Sequence, residues 1–146
     1  MHQPYALKSS EGWTYRLGID FKVKSGELRA GSGAAFMEYV TRQGEEPDDH
    51  THPTEDEMFY VLEGAITFRC GDQSFDLEQG GFVFLPHGLQ HGYTLRGETP
   101  VRLLVVTASV RDEASAGWSG FVADLESGQG ELVAKPTARP NDSDRV

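Results

Sequence analysis

Cysteine is almost missing from this sequence: Cys70 is the single thiol in 146 residues, so no intramolecular disulfide can brace the fold. Cations are also scarce, with 13 Lys and Arg against 23 Asp and Glu and a formal net charge of -10. No basic patch or basic helix stands out, which excludes nucleic acid and an anionic membrane surface as principal partners. No apolar run approaches the roughly 20 residues of a membrane span. The opening MHQPYALKSSEGW carries no apolar core for a signal peptide, so a cytoplasmic protein is expected. Neither a phosphate-cradling glycine loop nor an elbow presenting a nucleophilic serine occurs.

What the chain does have is turns and short apolar runs. Its 17 glycines and 7 prolines separate segments of β-branched and aromatic residues, the pattern of many short strands. Nine are expected: Thr14–Val23, Ala35–Arg42, a strand through His50 and His52, Glu57–Leu62, Ala65–Cys70, Ser74–Leu77, Phe82–Leu85, His91–Leu95 and Val101–Ala108. Cys70 shares a period-two face with Ile66 and Phe68, which reads as a small buried apolar residue and not a nucleophile. The expected class is all-β, a double-sheet jelly roll that protects most of its strand edges. Trp118, Phe121, Val122 and Leu125 fall at i, i+3, i+4 and i+7, which predicts one short amphipathic helix packed on the sheets. Residues 1–134 are read as one domain with its core at 35–108, and 135–146, with two prolines and little to bury, as a mobile tail.

The chemistry concentrates in GEEPDDHTHPTEDEMFYVLEG, from Gly44 to Gly64. His50 and His52 are two apart, so on extended backbone both imidazoles face the same way. Glu57 follows at the entry to an apolar strand, and downstream the Pro86–Gly88 turn delivers His91 to another strand. Three neutral imidazoles and a carboxylate suit one divalent first-row transition metal (Fe, Mn, Ni, Co, Cu or Zn) better than calcium or magnesium. Without thiolates a closed structural zinc site is disfavoured. The expected ligands are therefore His50, His52, Glu57 and His91, with Glu57 also the candidate catalytic base. Parity points Phe59 and Val61 inward with Glu57, and Tyr93 inward with His91, giving an apolar, partly aromatic pocket. Tyr93 has a hydroxyl that could orient a substrate. His87 is expected at the surface. The remaining acids of this stretch, Glu45, Glu46, Asp48, Asp49, Glu55 and Asp56, read as a solvated loop that disfavours polyanionic substrates.

These residues resemble the two cupin motifs. Gly44, His50, His52, Glu57 and Gly64 match every fixed position of the first, and Gly80, Pro86, Gly88 and His91 match the second. Leu95 stands where the second motif often ends in Asn, a position that is not a ligand. The resemblance implies a cupin-type double-stranded β-helix, a resident metal, a small-molecule substrate or ligand, and a homodimer formed through an N-terminal strand or a sheet face. Two kinds of function fit. One is an enzyme acting on a metal-chelating organic substrate, foremost a quercetinase-like dioxygenase, or else a metal-dependent isomerase or cyclase. The other is a metal cupin that binds a small ligand without turning it over, as a sensor, carrier or accessory factor. The absence of a Lys/Arg cluster beside the motif disfavours phosphosugar isomerase chemistry.

Overall fold

The computed structural model describes residues 3–26, 33–110 and 120–137. These form ten strands: β1 (Trp13–Leu17), β2 (Ile19–Ser25), β3 (Ala34–Thr41), β4 (Glu55–Glu63), β5 (Ala65–Cys70), β6 (Gln73–Leu77), β7 (Phe82–Leu85), β8 (His91–Arg96), β9 (Val101–Ser109) and β10 (Glu131–Ala134). One sheet runs β10-β1-β2-β3-β9-β4-β7 and the other β6-β5-β8. All the pairings between named strands are antiparallel. The sheets face each other across a shared core, where Phe59 of the larger lies 5.0 Å, ring centre to ring centre, from Phe68 of the smaller. This is the all-β jelly-roll arrangement that the short apolar runs predict.

Alternation sets which side chains enter the core. In β3, Ala35, Met37, Tyr39 and Thr41 are buried while Phe36 and Val40 are exposed. In β9, Val101, Leu103, Val105 and Thr107 point inward. Cys70 is buried beside Ile66 and Phe68, and burial raises its thiol pKa, as fits a packing residue. Gly64 turns β4 into β5 at φ 92°, and a Cβ there would stand 2.9 Å from the Pro100 carbonyl oxygen, so glycine is required on both counts.

Several expected boundaries differ. Thr14–Val23 is a hairpin and not one strand: Gly18, at φ 76°, folds Leu17 back against Ile19. Loose alternation continued across the turn because a one-residue pivot preserves parity. The His50–His52 segment forms no strand but a single bridge, His50 to His91, since Pro53 ends pairing at once. β4 begins at Glu55, two residues before the predicted start, and β10 was not anticipated. The C-terminal helix is present as one turn, α1 (Phe121–Asp124), continued by a π-helical turn over Leu125–Gln129, with Val122 and Leu125 fully buried. Trp118 and residues 138–146 lie outside the described residues. The lead-in folds back on its own chain: Tyr5 donates its hydroxyl hydrogen to the Lys24 carbonyl at 2.6 Å and packs edge-on against Trp13.

The outer face of the larger sheet carries apolar side chains in rows. Phe36, Val106, Met58 and Phe84 are cross-strand neighbours in one row; Leu104, Tyr60 and Phe82 make the next. Phe36, Tyr60, Phe82 and Phe84 are exposed.

Candidate metal centre

The loop before β4 is fastened to the β7–β8 turn from several sides. His50 and His91 exchange backbone hydrogen bonds of 2.9 and 2.8 Å, and the Gly88 amide donates to the His52 carbonyl at 2.9 Å. Asp56 accepts from both the backbone amide and the ring Nδ1 of His87 at 2.8 Å, which keeps His87 half-exposed and away from the pocket. Asp49 meets Arg69 at 2.8 Å and packs directly over Gly92, where a Cβ would sit 1.9 Å from its carboxylate. Two sequence-distant turns are thereby held in register, and their histidines are brought together.

The imidazoles of His50, His52 and His91 cluster with ring centres 4.6 to 5.3 Å apart. With Glu57 they offer four ligand atoms lying within 4.8 Å of one another. Glu57 enters from β4, only 5% exposed, between Leu85 of β7 and Thr107 of β9. His52 Nε2 stands 2.6 Å from Glu57 Oε1, and that hydrogen bond, more than burial opposes it, raises the His52 pKa. His50 Nδ1 lies 2.8 Å from the Asp48 carbonyl, an acceptor that fixes the proton on Nδ1 and leaves Nε2 with its lone pair. His91 is 4% exposed and neither ring nitrogen meets a hydrogen-bond partner of good geometry. Burial foremost, with His50 and His52 adding to it and Glu57 opposing, lowers its pKa, so the ring is neutral and ready to coordinate.

An orphaned buried imidazole is costly unless something satisfies it. A divalent first-row ion fits this set: nitrogen and carboxylate donors within a few ångströms, a fixed tautomer on His50, and a neutral His91 without another partner. The cluster could hold a metal; the donor atoms do not discriminate among the ions of that row.

The four residues form one wall of a cavity of about 410 Å³. Met37, Phe59, Val105, Phe21 and Phe121 supply apolar wall, and Leu17, Gly18, Glu45 and Pro47 line it where the β1–β2 turn meets the loop before His50. Among the described residues, no Lys or Arg contributes to the lining. Phe59 and Tyr93 line it as parity predicts, whereas Val61, fully buried, lies in the packed core and not on the cavity wall. Tyr39 reaches it as well, its hydroxyl oxygen 3.0 Å from that of Tyr93. Burial raises both phenol pKa values, that of Tyr39 strongly, so both stay neutral. The sequence carried a signal for Tyr39, because it shares the inward parity of Met37; only the pairing of β3 with β9 shows that this parity faces the metal cluster.

Glu55 corrects the reading of the acidic loop. It is 1% exposed, accepts from the Phe121 amide at 3.3 Å, and leaves Oε2 without a partner. Burial, then repulsion from Glu57, pushes its pKa up to about 7. A Cβ on Gly120 would lie 1.7 Å from that oxygen, so the C-terminal segment closes over Glu55 only because residue 120 is glycine. Asp49 and Asp56 are paired as described, and Glu46 accepts from the Gly44 amide at 2.7 Å.

A double β-sheet sandwich with histidines and a glutamate gathered at one end of its interior is the class that fold and site define. The chain belongs to the cupins: the family model described as a cupin domain matches residues 36–107, which contain all four clustered residues. Among curated proteins, the tetracenomycin polyketide synthase protein TcmJ of Streptomyces glaucescens is 28% identical over 97 residues, 66% of this chain and 65% of TcmJ. Quercetin 2,3-dioxygenase of Bacillus subtilis is 28% identical over 93 residues, covering 63% of this chain and 28% of that enzyme. The chain thus spans just under two thirds of the length of TcmJ, and far less of the dioxygenase. Among solved structures, a predicted oxalate decarboxylase from Thermotoga maritima shares the fold with a TM-score of 0.64 at 21% identity, over 72% of this chain and 99% of that one. No helix among the described residues is long and apolar enough to cross a membrane.

Proposed function

We propose that this chain is a metal-dependent cupin enzyme acting on a small, neutral, metal-chelating organic substrate, with oxygen-using dioxygenase chemistry of the quercetinase type as the leading reading. His50, His52, Glu57 and His91 are the proposed ligands. The observation that carries the proposal is their convergence on one wall of a cavity of about 410 Å³ whose described lining is largely apolar and aromatic and includes no Lys or Arg. Among the described residues a substrate anion would meet no cationic side chain there, while a neutral aromatic with adjacent oxygens finds apolar walls to stack on. A bound divalent ion supplies a Lewis-acid centre for those oxygens. In this reading Glu57, buried against His52, would take a proton from the chelating hydroxyl. The likeness to quercetin 2,3-dioxygenase supports the oxygen-using reading. A second reading is a metal-dependent cyclase or isomerase; the likeness to two proteins named for polyketide synthases, TcmJ and CurC of Streptomyces cyaneus (24% identical over 101 residues), favours a polyketide-like substrate for it.

Metal analysis of the purified protein, followed by oxygen-electrode screening of polyphenols and 1,3-diketones with each candidate ion, tests this. Oxygen uptake dependent on both metal and substrate is expected. Product formation without oxygen uptake would select the cyclase or isomerase reading, and tight binding with no turnover of any compound would select a ligand-binding module. In this reading the homodimer would use the outer apolar rows, where exposed Tyr60, Phe82 and Phe84 lie on β4 and β7 at the end of the described sheet and Phe36 lies further in, on β3. A second copy on this face would withdraw them from water, and analytical ultracentrifugation of Phe82→Asp against the unaltered chain checks it.

A further inference from the structure

The inward face of the larger sheet is layered along its strands. Glu57, Thr107 and Ala35 are cross-strand neighbours in one row; Phe59, Val105 and Met37 make the next; Val61, Leu103 and Tyr39 make the third. Rows two residues apart are separated by roughly 6.5–7 Å, so the backbone of Tyr39 lies about 13 Å along the sheet from that of Glu57. On the opposite sheet Tyr93 stands two residues beyond His91 on the same face. The cavity therefore offers nitrogen and carboxylate donors from one row, apolar wall from Phe59, Val105 and Met37 in the next, and a pair of phenols from Tyr39 and Tyr93.

That phenol pair holds two protons and makes one mutual bond of 3.0 Å. Both hydroxyls are buried, so a leftover donor facing an apolar chamber is unfavourable until an acceptor arrives. The Thr41 hydroxyl is buried nearby and makes no hydrogen bond of good geometry. Either hydroxyl can donate in this bond, and with Tyr39 as the donor the Tyr93 hydrogen is left to turn toward the cavity that both residues line.

We propose that Tyr93, oriented by Tyr39, is the specificity-determining contact for a second oxygen of the substrate, remote from its chelating pair. The ligand class is then narrower than a simple chelator: an elongated neutral aromatic with two adjacent oxygens at one end and a further hydroxyl or carbonyl oxygen at the other. Phe59 and Met37 would flank its apolar middle. Tyr39 is a positioning residue in this scheme. The inference rests on the chelation reading proposed above.

The test uses the cobalt(II)-loaded full chain under anaerobic conditions, titrated with 1,3-diphenylpropane-1,3-dione and with its 4-hydroxy derivative, following the cobalt absorption. A preference of about 5–10-fold for the hydroxylated probe is expected, the worth of one buried neutral hydrogen bond. Tyr93→Phe should bring the ratio of affinities to about one while leaving metal content and binding of the unsubstituted diketone within about twofold. Tyr39→Phe should reduce the ratio to an intermediate value, through loss of orientation. Because the readout is a ratio within each variant, a general loss of packing does not imitate it, and melting curves of both variants confirm folding. Equal affinity of the two probes for the unaltered protein, or a preference that survives Tyr93→Phe, overturns the inference and leaves chelation standing. Failure of either probe to perturb the cobalt spectrum overturns the chelation reading and this inference with it.

Discussion

Glu57 and Glu55 sit two residues apart on β4, point the same way and are both buried, yet their surroundings differ. Glu57 faces three imidazoles and hydrogen-bonds one of them at 2.6 Å. Glu55 faces the C-terminal segment, where it receives the Phe121 amide and holds one oxygen without a partner. His52 Nδ1 lies 3.9 Å from Glu55, beyond hydrogen-bond reach. One carboxyl thus faces hydrogen-bonding imidazoles, while the other is furnished for protonation. Burial alone does not set the role of an acidic residue; the donors within bonding distance do.

The comparison breaks most readily at the histidines. Replacing His50 and His52 together by alanine removes two of the four proposed ligands and should abolish stoichiometric metal binding at neutral pH, as read by elemental analysis after dialysis; full retention would place the ligands elsewhere. Glu57→Gln keeps the side-chain shape but not the charge. Metal affinity should fall by about 10–100-fold, as for contacts that tune a metal. Turnover at saturating metal should fall by about 10²–10⁴-fold if Glu57 is the base, and activity restored fully by excess metal would leave it a ligand only.

At Glu55 the effect is on stability and its pH dependence in the metal-free protein. A carboxyl raised from 4.5 to about 7 binds its proton in the native state where the unfolded chain has released it. Its contribution is therefore fully present below about pH 4.5 and is lost as pH rises through about 7, a change of roughly 3 kcal/mol at most. His52, also raised, acts in the same direction: its contribution holds below its usual 6.5 and is lost as pH rises through its higher native value. Glu55→Gln should accordingly be more stable than the unaltered chain at pH 8, by about 1–3 kcal/mol, and show a flatter stability profile between pH 5 and pH 8 in denaturant titrations. No difference at pH 8 would mean that solvent reaches the carboxylate. A smaller loss is expected from Gly120→Ala, whose methyl group collides with the Glu55 carboxylate and should cost about 1–2 kcal/mol by displacing it. If thermal melting shows none, the C-terminal segment yields freely and does not shape the environment of Glu55.

Legibility followed the length of the physical signal. Strands whose buried residues alternate cleanly, such as β3, β5, β7 and β9, were placed to within a residue or so, because period two is written directly into the chain. The hairpin at Gly18 was misread as a continuous strand, since Leu17 and Ile19 keep the same parity on both sides of the pivot. Strand β10 escaped notice because all four of its residues are exposed, so its pairing with β1 leaves no hydrophobic pattern.

Local order alone determined the four residues of the cluster. A His-x-His pair, a glutamate at the head of an apolar strand and a histidine behind a Pro-x-Gly turn are spacings of a few residues, and each fixes a direction that the backbone must respect. Contacts made at long sequence separation decided the rest. Tyr39 meets Tyr93 across 54 residues, and Phe121 meets Glu55 across 66. Neither pairing has any periodic trace in the chain, because which inward faces confront one another depends on how the two sheets stack and where the C-terminal segment lies across them.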